Sequence, residues 1–589
     1  MFILKWIRVL AAFFVFTSLL FLFVDISSIA SLSLHHLAEI QFVPLLLRGG
    51  LVGGVGVILW LIVTLIFGRF YCSSICPFGI LQDVISRFAK FFRRRNCKYS
   101  YRPAMSKTRN IIFVLFLFGV AAMMFFGVAA VVILFDPYSN FGRISFSIFQ
   151  PAVIFLNNRI AGVSDLIGGA GFQPRGIHLF GGAFIISLAI FFLVVILSFF
   201  YGRRYCNVIC PVGTLFGFIS KFSLFRVKLD KSKCIKCGLC ERNCKGECID
   251  SKNFSVDSSR CVTCFNCFGV CRKGAILYSP ISLALFSVGK VESSNSAAIV
   301  SDEVHSGRRR FLRLSFLSLI FSTIGGGAMN PDDPYGDSDP YGNDTSGNKV
   351  PDVAETVKSA AESVKTAETT ESVVTGADLE LADKTSRVSY VNDTIVLPPG
   401  ARSLKNFRSK CSSCHLCVSK CPSRVLQPGA IYSNSVIGGS GSGGIFGLVQ
   451  PSLQFDHHYC NKNCTVCGDV CPTSAIERVT VEERELLKIG TVEFLIDNCV
   501  VYTQGTSCGA CQEHCSNGAI KMVPYGDPSK HLTIPELHPE FCIGCGGCES
   551  ICPVRPYRAI YIKGATEQTK AKLSYDPNEK QKTVELELI

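Results

Sequence analysis

The chain of 589 residues has room for three or four domains, and its 48% share of hydrophobic residues, with 46 phenylalanines, points to membrane spans. A net charge of +14 could suit nucleic acid, but the basic residues crowd beside apolar runs, where they orient membrane helices. We therefore predict no nucleic-acid partner. The 30 cysteines are too many for reactive thiols alone, and their repeated groups of four favour metal ligation over disulfides.

Four apolar runs each approach the ~20 residues that cross ~30 Å of hydrocarbon. They are residues 9–24, 51–67, 111–135 and 181–200. Lys5 and Arg8 precede the first run. A stretch of basic residues without any acidic residue, from Arg87 to Arg109, separates the second run from the third. Because such basic loops stay in the cytoplasm, we predict four membrane helices with both ends of this segment inside.

One motif follows both the second and the fourth apolar run. It reads GRFYCSSICPFG at residues 68–79 and GRRYCNVICPVG at residues 202–213. Two cysteines four residues apart share one helix face if the helix continues through them. A pseudo-twofold arrangement could then unite four thiols, here called the quartet, as a further redox site; the alternative is that they only pack or form disulfides, which a reducing cytoplasm disfavours. The quartet consists of Cys72, Cys76, Cys206 and Cys210.

Two cysteine groups between residues 215 and 285 have the spacing C-x2-C-x2-C-x3-C, in which the last cysteine of each group binds the neighbouring cluster in two-cluster ferredoxins. They are Cys234, Cys237, Cys240 and Cys244, then Cys261, Cys264, Cys267 and Cys271. Zinc usually needs only two such pairs and accepts histidine, so this pattern favours two [4Fe-4S] clusters. Lys245 stands where proline usually follows the fourth cysteine, which makes Cys248 a substitute candidate for Cys244. Cys97 stands alone and is predicted to be structural.

The stretch at residues 307–330 begins GRRRFLRL and continues as a short apolar run. Its arginine pair, Arg308 and Arg309, before an apolar run is typical of a bacterial twin-arginine export signal. The alternative is a short membrane helix with a basic flank. Residues 331–400 are acidic and poor in core-forming side chains, which predicts a disordered tether.

Four more cysteine groups lie in residues 401–589 and predict four [4Fe-4S] clusters. They are Cys411, Cys414, Cys417 and Cys421; Cys460, Cys464, Cys467 and Cys471; Cys499, Cys508, Cys511 and Cys515; Cys542, Cys545, Cys548 and Cys552. Sequential and outer/inner pairings of the groups both satisfy every ligand. Nearby histidines are predicted to be surface residues, because the cysteines complete the ligand set. They are His415, His457, His458 and His514. Residues 438–444, GGSGSGG, predict a flexible loop.

These motifs resemble a fusion of two families from periplasmic nitrate reductase systems, NapH followed by NapG or its relative MauM. The likeness to NapH covers residues 1 to about 280, through the spans, the repeated motif and the two-cluster segment. The likeness to NapG rests on the export signal, Pro398-Pro399-Gly400-Ala401 and four cysteine groups. It implies oxidation of a membrane quinol and delivery of electrons to a periplasmic reductase chain. The fusion and the long tether are unusual for these families.

The predicted fold is an α-helical transmembrane bundle of four helices, or five with the internal signal, plus α+β ferredoxin-like [4Fe-4S] domains. The predicted segments are 1–214, membrane; 215–285, two-cluster domain; 286–330, linker and signal; 331–400, tether; and 401–589, four-cluster domain. We expect a protein of the bacterial inner membrane, with residues 215–305 in the cytoplasm and residues 331–589 in the periplasm.

The leading functional hypothesis is a quinol dehydrogenase-type electron-transfer component without an independent substrate site. It would hold six [4Fe-4S] clusters, and a seventh if the quartet binds one. Its partners would be the membrane quinone pool, a periplasmic cytochrome or reductase, and the twin-arginine export machinery. The alternative is a maturation factor for a redox enzyme. No redox ligands are visible within the spans, so a diffusing quinol or the quartet must bridge the membrane. His35 and His36 are either a solvated pair or acceptors of a quinol proton.

Overall fold

The computed structural model describes residues 2–24, 31–92, 99–102, 135–166, 181–280, 394–429 and 450–572, with scattered positions between 108 and 118. These residues all belong to one compact unit. Several predictions lie outside the described residues. They are the export stretch 307–330, the tether up to residue 393, the loop 438–444, Cys97 and most of the third apolar run.

The first part of the chain is helical. Its helices are α1 (Phe2–Val24), α2 (Ser31–Glu39), α3 (Phe42–Arg48), α4 (Gly50–Phe67), α5 (Phe70–Ser74), α6 (Pro77–Phe92), α7 (Pro137–Ile144), α8 (Gln150–Leu166), α9 (Gly181–Tyr201) and α10 (Pro211–Ser220), with π-helical turns at Ser145–Phe149 and Tyr205–Ile209. Within the described residues, α1, α4 and α9 are long and apolar enough to span a membrane. At most 33% of any of these spans is buried by the rest of the chain, which leaves apolar surface for lipid.

Helix α3 lies beside the first half of α4. The segment that precedes α3 therefore lies beside the middle of α4. The indole nitrogen of Trp60 donates to the carbonyl oxygen of Ile40 at 2.9 Å. Trp60 lies ~15 Å along α4 from its start, at 1.5 Å per residue. A Cβ at Gly56 would lie 2.8 Å from the Leu45 side chain, so this glycine permits the close approach of the two helices. Short helices therefore fill the bundle between the long spans.

In both motif copies the helix breaks between the two cysteines. Helix α5 ends at Ser74, and Pro77 begins α6 directly after Cys76. In the second copy a π-helical turn carries Cys206, whereas Cys210 is the N-cap of α10. Proline favours this arrangement, because it suits the first helical position and lacks the N–H that a continuing helix needs. No single helix continues through both cysteines of a copy, so the two do not share one helix face. They lie at the ends of short helices instead.

The middle domain, residues 225–280, consists of short strand pairs and cysteine-bearing loops. Strand β1 (Phe225–Leu229) pairs antiparallel with β4 (Ile276–Pro280), and β2 (Ile249–Asp250) with β3 (Ser255–Val256). Helix α11 (Leu239–Arg242) begins within the first cysteine group. Buried cysteines and a few aliphatic residues share one core cluster. The interior is thus built around thiols rather than around a conventional hydrophobic core.

The C-terminal domain, residues 394–572, repeats this plan with three antiparallel strand pairs. The strands are β5 (Leu426–Pro428) with β6 (Pro451–Leu453), β7 (Leu487–Phe494) with β10 (Ile560–Lys570), and β8 (Ile520–Pro524) with β9 (Thr533–Leu537). The helices are α12 (Leu404–Lys410), α13 (Leu416–Lys420), α14 (Val466–Asp469), α15 (Val481–Leu486), α16 (Val500–Gln504), α17 (Ala510–Glu513) and α18 (Gly547–Ile551). Every cysteine group contributes a loop beside one of these short helices.

Candidate metal centres

Three cavities are each lined by four cysteines, three from one group and the last one from the neighbouring group. These sets are Cys234, Cys237, Cys240 with Cys271; Cys411, Cys414, Cys417 with Cys471; and Cys542, Cys545, Cys548 with Cys515. Electrostatic interactions between thiols join three further sets in the same way. They are Cys261, Cys264, Cys267 with Cys244; Cys460, Cys464, Cys467 with Cys421; and Cys499, Cys508, Cys511 with Cys552. The structure thus pairs consecutive groups and leaves no role for the outer/inner pairing.

The four groups with standard spacing share one loop conformation around their second cysteine. The residues directly before and after that cysteine have φ between 47° and 81° in every case. These pairs are Lys236 and Gly238, Thr263 and Phe265, Ser413 and His415, and Gly544 and Gly546. A non-glycine residue in this conformation costs ~1–2 kcal/mol and persists where its surroundings over-determine it, as at ligand clamps. The repetition indicates loops shaped around a bound group.

The spacing of the thiols argues against single metal ions. Among the described side chains, the one group of three or more metal-binding residues with ligand atoms all within 4.8 Å of one another is His35, His36 and Glu39. Tetrahedral zinc, with Zn–S bonds of ~2.3 Å, needs sulfur atoms ~3.8 Å apart. In none of the described cysteine sets do three sulfur atoms all lie within 4.8 Å of one another, whereas a four-iron cube holds its thiolates farther apart than zinc does. The donor sets therefore fit [4Fe-4S] clusters.

Cys248 lies beside the second set of the middle domain. Its Sγ is 3.4 Å from the Sγ of Cys244, and its thiol also hydrogen-bonds with that of Cys261. Both Cys244 and Cys248 can therefore reach the same ligand position. The structure places the two thiols side by side, and the role of Cys248 as a substitute for Cys244 stays a prediction.

This redundancy leads to a testable prediction. Replacing Cys244 or Cys248 singly by serine should leave the iron content of the full-length protein nearly unchanged, because the remaining thiol supplies the fourth ligand. The double replacement should remove ~4 iron atoms, the content of one cube. Iron quantification and EPR of the three purified variants measure this. Loss of the whole cluster in the Cys244→Ser variant alone would show that Cys248 cannot substitute.

The two motif copies meet through reciprocal arginine contacts. Arg69 Nη2 donates to the carbonyl oxygen of Cys206 at 3.0 Å, and Arg203 Nη1 donates to the carbonyl oxygen of Cys72 at 2.7 Å. Both guanidinium groups are buried, at 1% and 0% exposure. The thiol of Cys210 interacts electrostatically with the other three quartet thiols. The structure therefore brings the quartet together, as the pseudo-twofold hypothesis expects.

Donors in the bundle point at the quartet sulfurs. Gln82 Nε2 lies 3.1 Å from Cys206 Sγ, and the backbone N–H of Gly213 donates to Cys210 Sγ at 3.3 Å. Burial raises the pKa of the Cys206 thiol to about 11, and Arg203 offsets this only in part. A thiolate at neutral pH would therefore need additional positive charge, which a bound metal supplies.

The quartet region packs directly against the middle domain. Arg69 Nη1 donates to the carbonyl oxygen of Ser259 at 3.0 Å, two residues before Cys261. Asn207 Nδ2 donates to the carbonyl oxygen of Gly246 at 3.3 Å, two residues after Cys244. The loops that carry two ligands of one middle-domain set thus rest on the repeated motif.

Two histidine predictions need correction. His415 is 1% exposed rather than on the surface, because it lies where the C-terminal domain packs against the bundle, with its ring 5.7 Å from that of Phe146. His35 is buried, and its Nε2 lies 2.9 Å from Arg478 Nη2, whereas His36 is exposed. The other histidines predicted to be on the surface are exposed. They are His457, His458 and His514.

The close group formed by His35, His36 and Glu39 does not suit a cation. Arg478 Nη2 lies 3.1 Å from Glu39 Oε1, and Arg48 Nη1 lies 3.7 Å from Glu39 Oε2. Two guanidinium groups therefore already neutralise the one carboxylate that would hold a metal ion.

Several buried charges beside the cysteines are not among the residues predicted from the sequence. Arg69 and Arg203 had a signal, since each is the arginine of a repeated Gly-Arg pair. Asp83 and Arg484 had none. Asp83 forms ion pairs with three cationic side chains. Arg484 is 0% exposed, and its Nη2 donates to Cys460 Sγ at 3.2 Å.

Two family models match parts of the chain. A model described as a 4Fe-4S binding domain matches residues 50–96 and 183–232, and a 4Fe-4S dicluster domain matches residues 506–555. The first match contains both motif copies, and the quartet provides all of the cysteines within it. The second contains seven of the eight cysteines of the last two groups, Cys499 excepted.

Individual relatives match shorter parts. The uncharacterized protein MJ0749 of Methanocaldococcus jannaschii is 40% identical over 87 residues, which are 15% of this chain and 35% of the relative. The ferredoxin-type proteins NapF and NapG of Escherichia coli are each 29% identical, over 168 residues (28% of this chain, 85% of NapF) and 189 residues (30% of this chain, 73% of NapG). No solved structure matches the chain. The chain is thus similar to ferredoxin-type proteins and contains 4Fe-4S binding domains, which supports iron–sulfur electron transfer.

Proposed function

We propose that this chain is a membrane-bound iron–sulfur electron-transfer protein that oxidises quinol and passes electrons to a periplasmic reductase chain of the nitrate reductase type. The observation that carries the proposal is the assembly of six four-thiol sets, each completed by a cysteine of the neighbouring group. Each set would hold one [4Fe-4S] cluster, which carries single electrons. The quartet would be a seventh site. Quinol, the quinone pool and a periplasmic cytochrome or reductase are the proposed substrate and partners.

Iron content and quinol oxidation can be tested on the full-length protein. Six cubes predict at least ~24 iron atoms per chain, because each cube contains four. A reduced quinol analogue added to the purified, oxidised protein should produce the EPR signals of reduced clusters. A full complement of iron that stays oxidised after quinol addition would contradict quinol oxidation while preserving the cluster assignment. Zinc in place of iron would contradict both.

In this proposal the membrane segment, residues 1–214, resembles NapH and lies in the bacterial inner membrane. Residues 215–305 face the cytoplasm, and residues 331–589 face the periplasm beyond the tether. The basic stretch from Arg87 to Arg109 and the pair Arg308-Arg309 support this orientation.

Export of the C-terminal domain provides a test of the orientation. Replacing both Arg308 and Arg309 by lysine should retain residues 331–589 in the cytoplasm, since a twin-arginine signal is read by a dedicated receptor. Protease added to spheroplasts should then cleave this domain in the unmodified protein and spare it in the variant. Equal cleavage in both would mean that an ordinary membrane helix, not a twin-arginine signal, precedes the domain.

A further inference from the structure

The short helix α7 lies between the quartet and the first cysteine group of the C-terminal domain. All eight of its residues are buried, and Asp136 caps its start by accepting from the backbone N–H groups of Tyr138 and Ser139. Pro137 occupies the first helical position, which suits an abrupt start. Because all of these residues are buried within the chain itself, every face of the helix is covered by other parts of this chain.

One face of α7 rests on the loop that carries Cys414. A Cβ built at Gly142 would overlap the carbonyl oxygen of Cys414, so the two backbones are in contact there. The side chain of Tyr138 interacts with the thiols of Cys414 and Cys471. These two thiols line the same four-cysteine cavity. Helix α7 therefore borders one of the candidate cluster sites directly.

Two tyrosines connect α7 to the quartet, and each directly precedes the first cysteine of a motif copy. Tyr205 hydrogen-bonds with Asn140 of α7 and interacts with both quartet thiols of its own copy. Tyr71 interacts with both quartet thiols of its own copy, Cys72 and Cys76, and with Asp136. A single layer of side chains thus links the quartet to α7.

Arg143 joins the two sides of α7 by charge. It is 1% exposed and interacts with Asp136 and Tyr205 on the quartet side, and with two thiols of the C-terminal domain on the other side. A buried guanidinium is stable only where negative charge surrounds it. Clusters bound by four thiolates on both sides would supply that charge.

The sites therefore form an uninterrupted series. Arg69 and Asn207 connect the middle domain to the quartet, and α7 connects the quartet to the C-terminal domain. Building on the iron–sulfur function proposed above, we propose that single electrons cross the membrane inside this chain, through the quartet and past α7. Each transfer oxidises one centre by one electron and reduces the next by one, and no bond forms or breaks. A quinol that diffuses across the ~30 Å of hydrocarbon is then unnecessary for the crossing.

Quinone-free phosphatidylcholine vesicles containing the full-length protein can test this crossing. Dithionite, which donates single electrons through its SO2 radical anion, is added outside only. Reduction is followed by EPR and by loss of the visible cluster absorbance. We expect the clusters facing the vesicle interior to be reduced together with the outer ones. In the Cys206→Ser/Cys210→Ser variant, we expect the inner clusters to remain oxidised until detergent opens the vesicles. Vesicles that enclose a soluble ferredoxin serve as the control for leakage of dithionite into the interior.

The iron content of each protein shows whether a negative result contradicts the electron crossing or the iron–sulfur function itself. If the unmodified protein contains its iron but its inner clusters stay oxidised before detergent is added, the crossing is refuted and the iron–sulfur function stands. If the iron is missing, the proposed function fails first. Complete reduction of the inner clusters in the double variant, with the quartet iron lost, would refute the role of the quartet.

The role of Arg143 can be measured separately as a positioning and electrostatic effect. Arg143→Met should slow reduction of the inner clusters at least tenfold and lower the reduction potential of a neighbouring centre, because a nearby cation stabilises the reduced form. Arg143→Lys should restore most of the potential and the rate, which a purely structural role would not predict. Wild-type rates and potentials in both variants would exclude Arg143 from the path.

Discussion

Replacing Asp83 by asparagine should destabilise the protein by ~3–5 kcal/mol, because three buried cations share its carboxylate. The Asp83 oxygens lie 2.8 Å from Arg203 Nε, 3.2 Å from Lys245 Nζ and 3.4 Å from Arg8 Nη1. The side chains of these cations are 0%, 4% and 6% exposed. The variant would leave all three without a counter-charge, where α6 joins the repeated motif to the middle domain.

The denaturation midpoint of the purified variant, followed by circular dichroism and by loss of cluster absorbance, measures this effect. Asp456→Asn is the matched control, because Asp456 has a side chain that is 68% exposed and pairs with Arg558 only at 3.9 Å. The Arg558 side chain is buried but keeps Glu549 at 3.5 Å, so loss of the exposed Asp456 charge should cost only ~0–1 kcal/mol. Equal midpoints for the two variants would show that the buried network around Asp83 contributes little to stability.

The pH dependence of this network follows from the same contacts. Burial alone would raise the pKa of the Asp83 carboxyl, but Arg203 and Lys245 outweigh it and hold the pKa well below its usual range. The stabilisation is therefore fully present above the unfolded-state pKa of ~3.9 and is lost only as the pH falls further. Between pH 5 and 8, about the range in which proteins are most stable, Asp83 should not titrate.

The local cysteine pattern is enough to predict the ligand groups, because three thiolates of one loop hold most of a cube. The pairing of groups was not predictable, because it depends on how separate loops such as those of Cys421 and Cys460 fold together. The quartet was predictable as a set, since an internal repeat implies a symmetric partner. Its helix break was also readable, because Pro77 and Pro211 follow the second cysteine of each copy.

The connection that α7 makes between the quartet and the C-terminal domain could not be predicted from a repeat or a cysteine pattern in the sequence. Its residues follow the third apolar run and contain no repeated motif, and their burial depends on long-range packing by Gly142 and Tyr138. The same packing explains the wrong prediction for His415. A histidine beside a cysteine group looks like a surface residue until another part of the chain covers that loop, as Phe146 does here.

Replacing Gly213 by alanine should separate the two motif copies and remove any metal from the quartet. A Cβ at this position would overlap the carbonyl oxygen of Cys206 and would lie 3.0 Å from Arg69 Nη2. The first of these neighbours is backbone, so it cannot move away as a flexible side chain could. Overpacking of this kind costs ~1–3 kcal/mol or more. The strain falls on the contacts that align Cys206 with Cys210.

Gly54→Ala is the matched control, because a Cβ at Gly54 of α4 would meet nothing within 4 Å. If the quartet binds one cube, Gly213→Ala should lose ~4 iron atoms per chain and keep the others, whereas Gly54→Ala should keep all of its iron. Iron analysis of the two purified variants decides this. A folded Gly213→Ala protein with its full iron content would mean that the quartet holds no metal, because a cube on four displaced thiols would not survive the overlap.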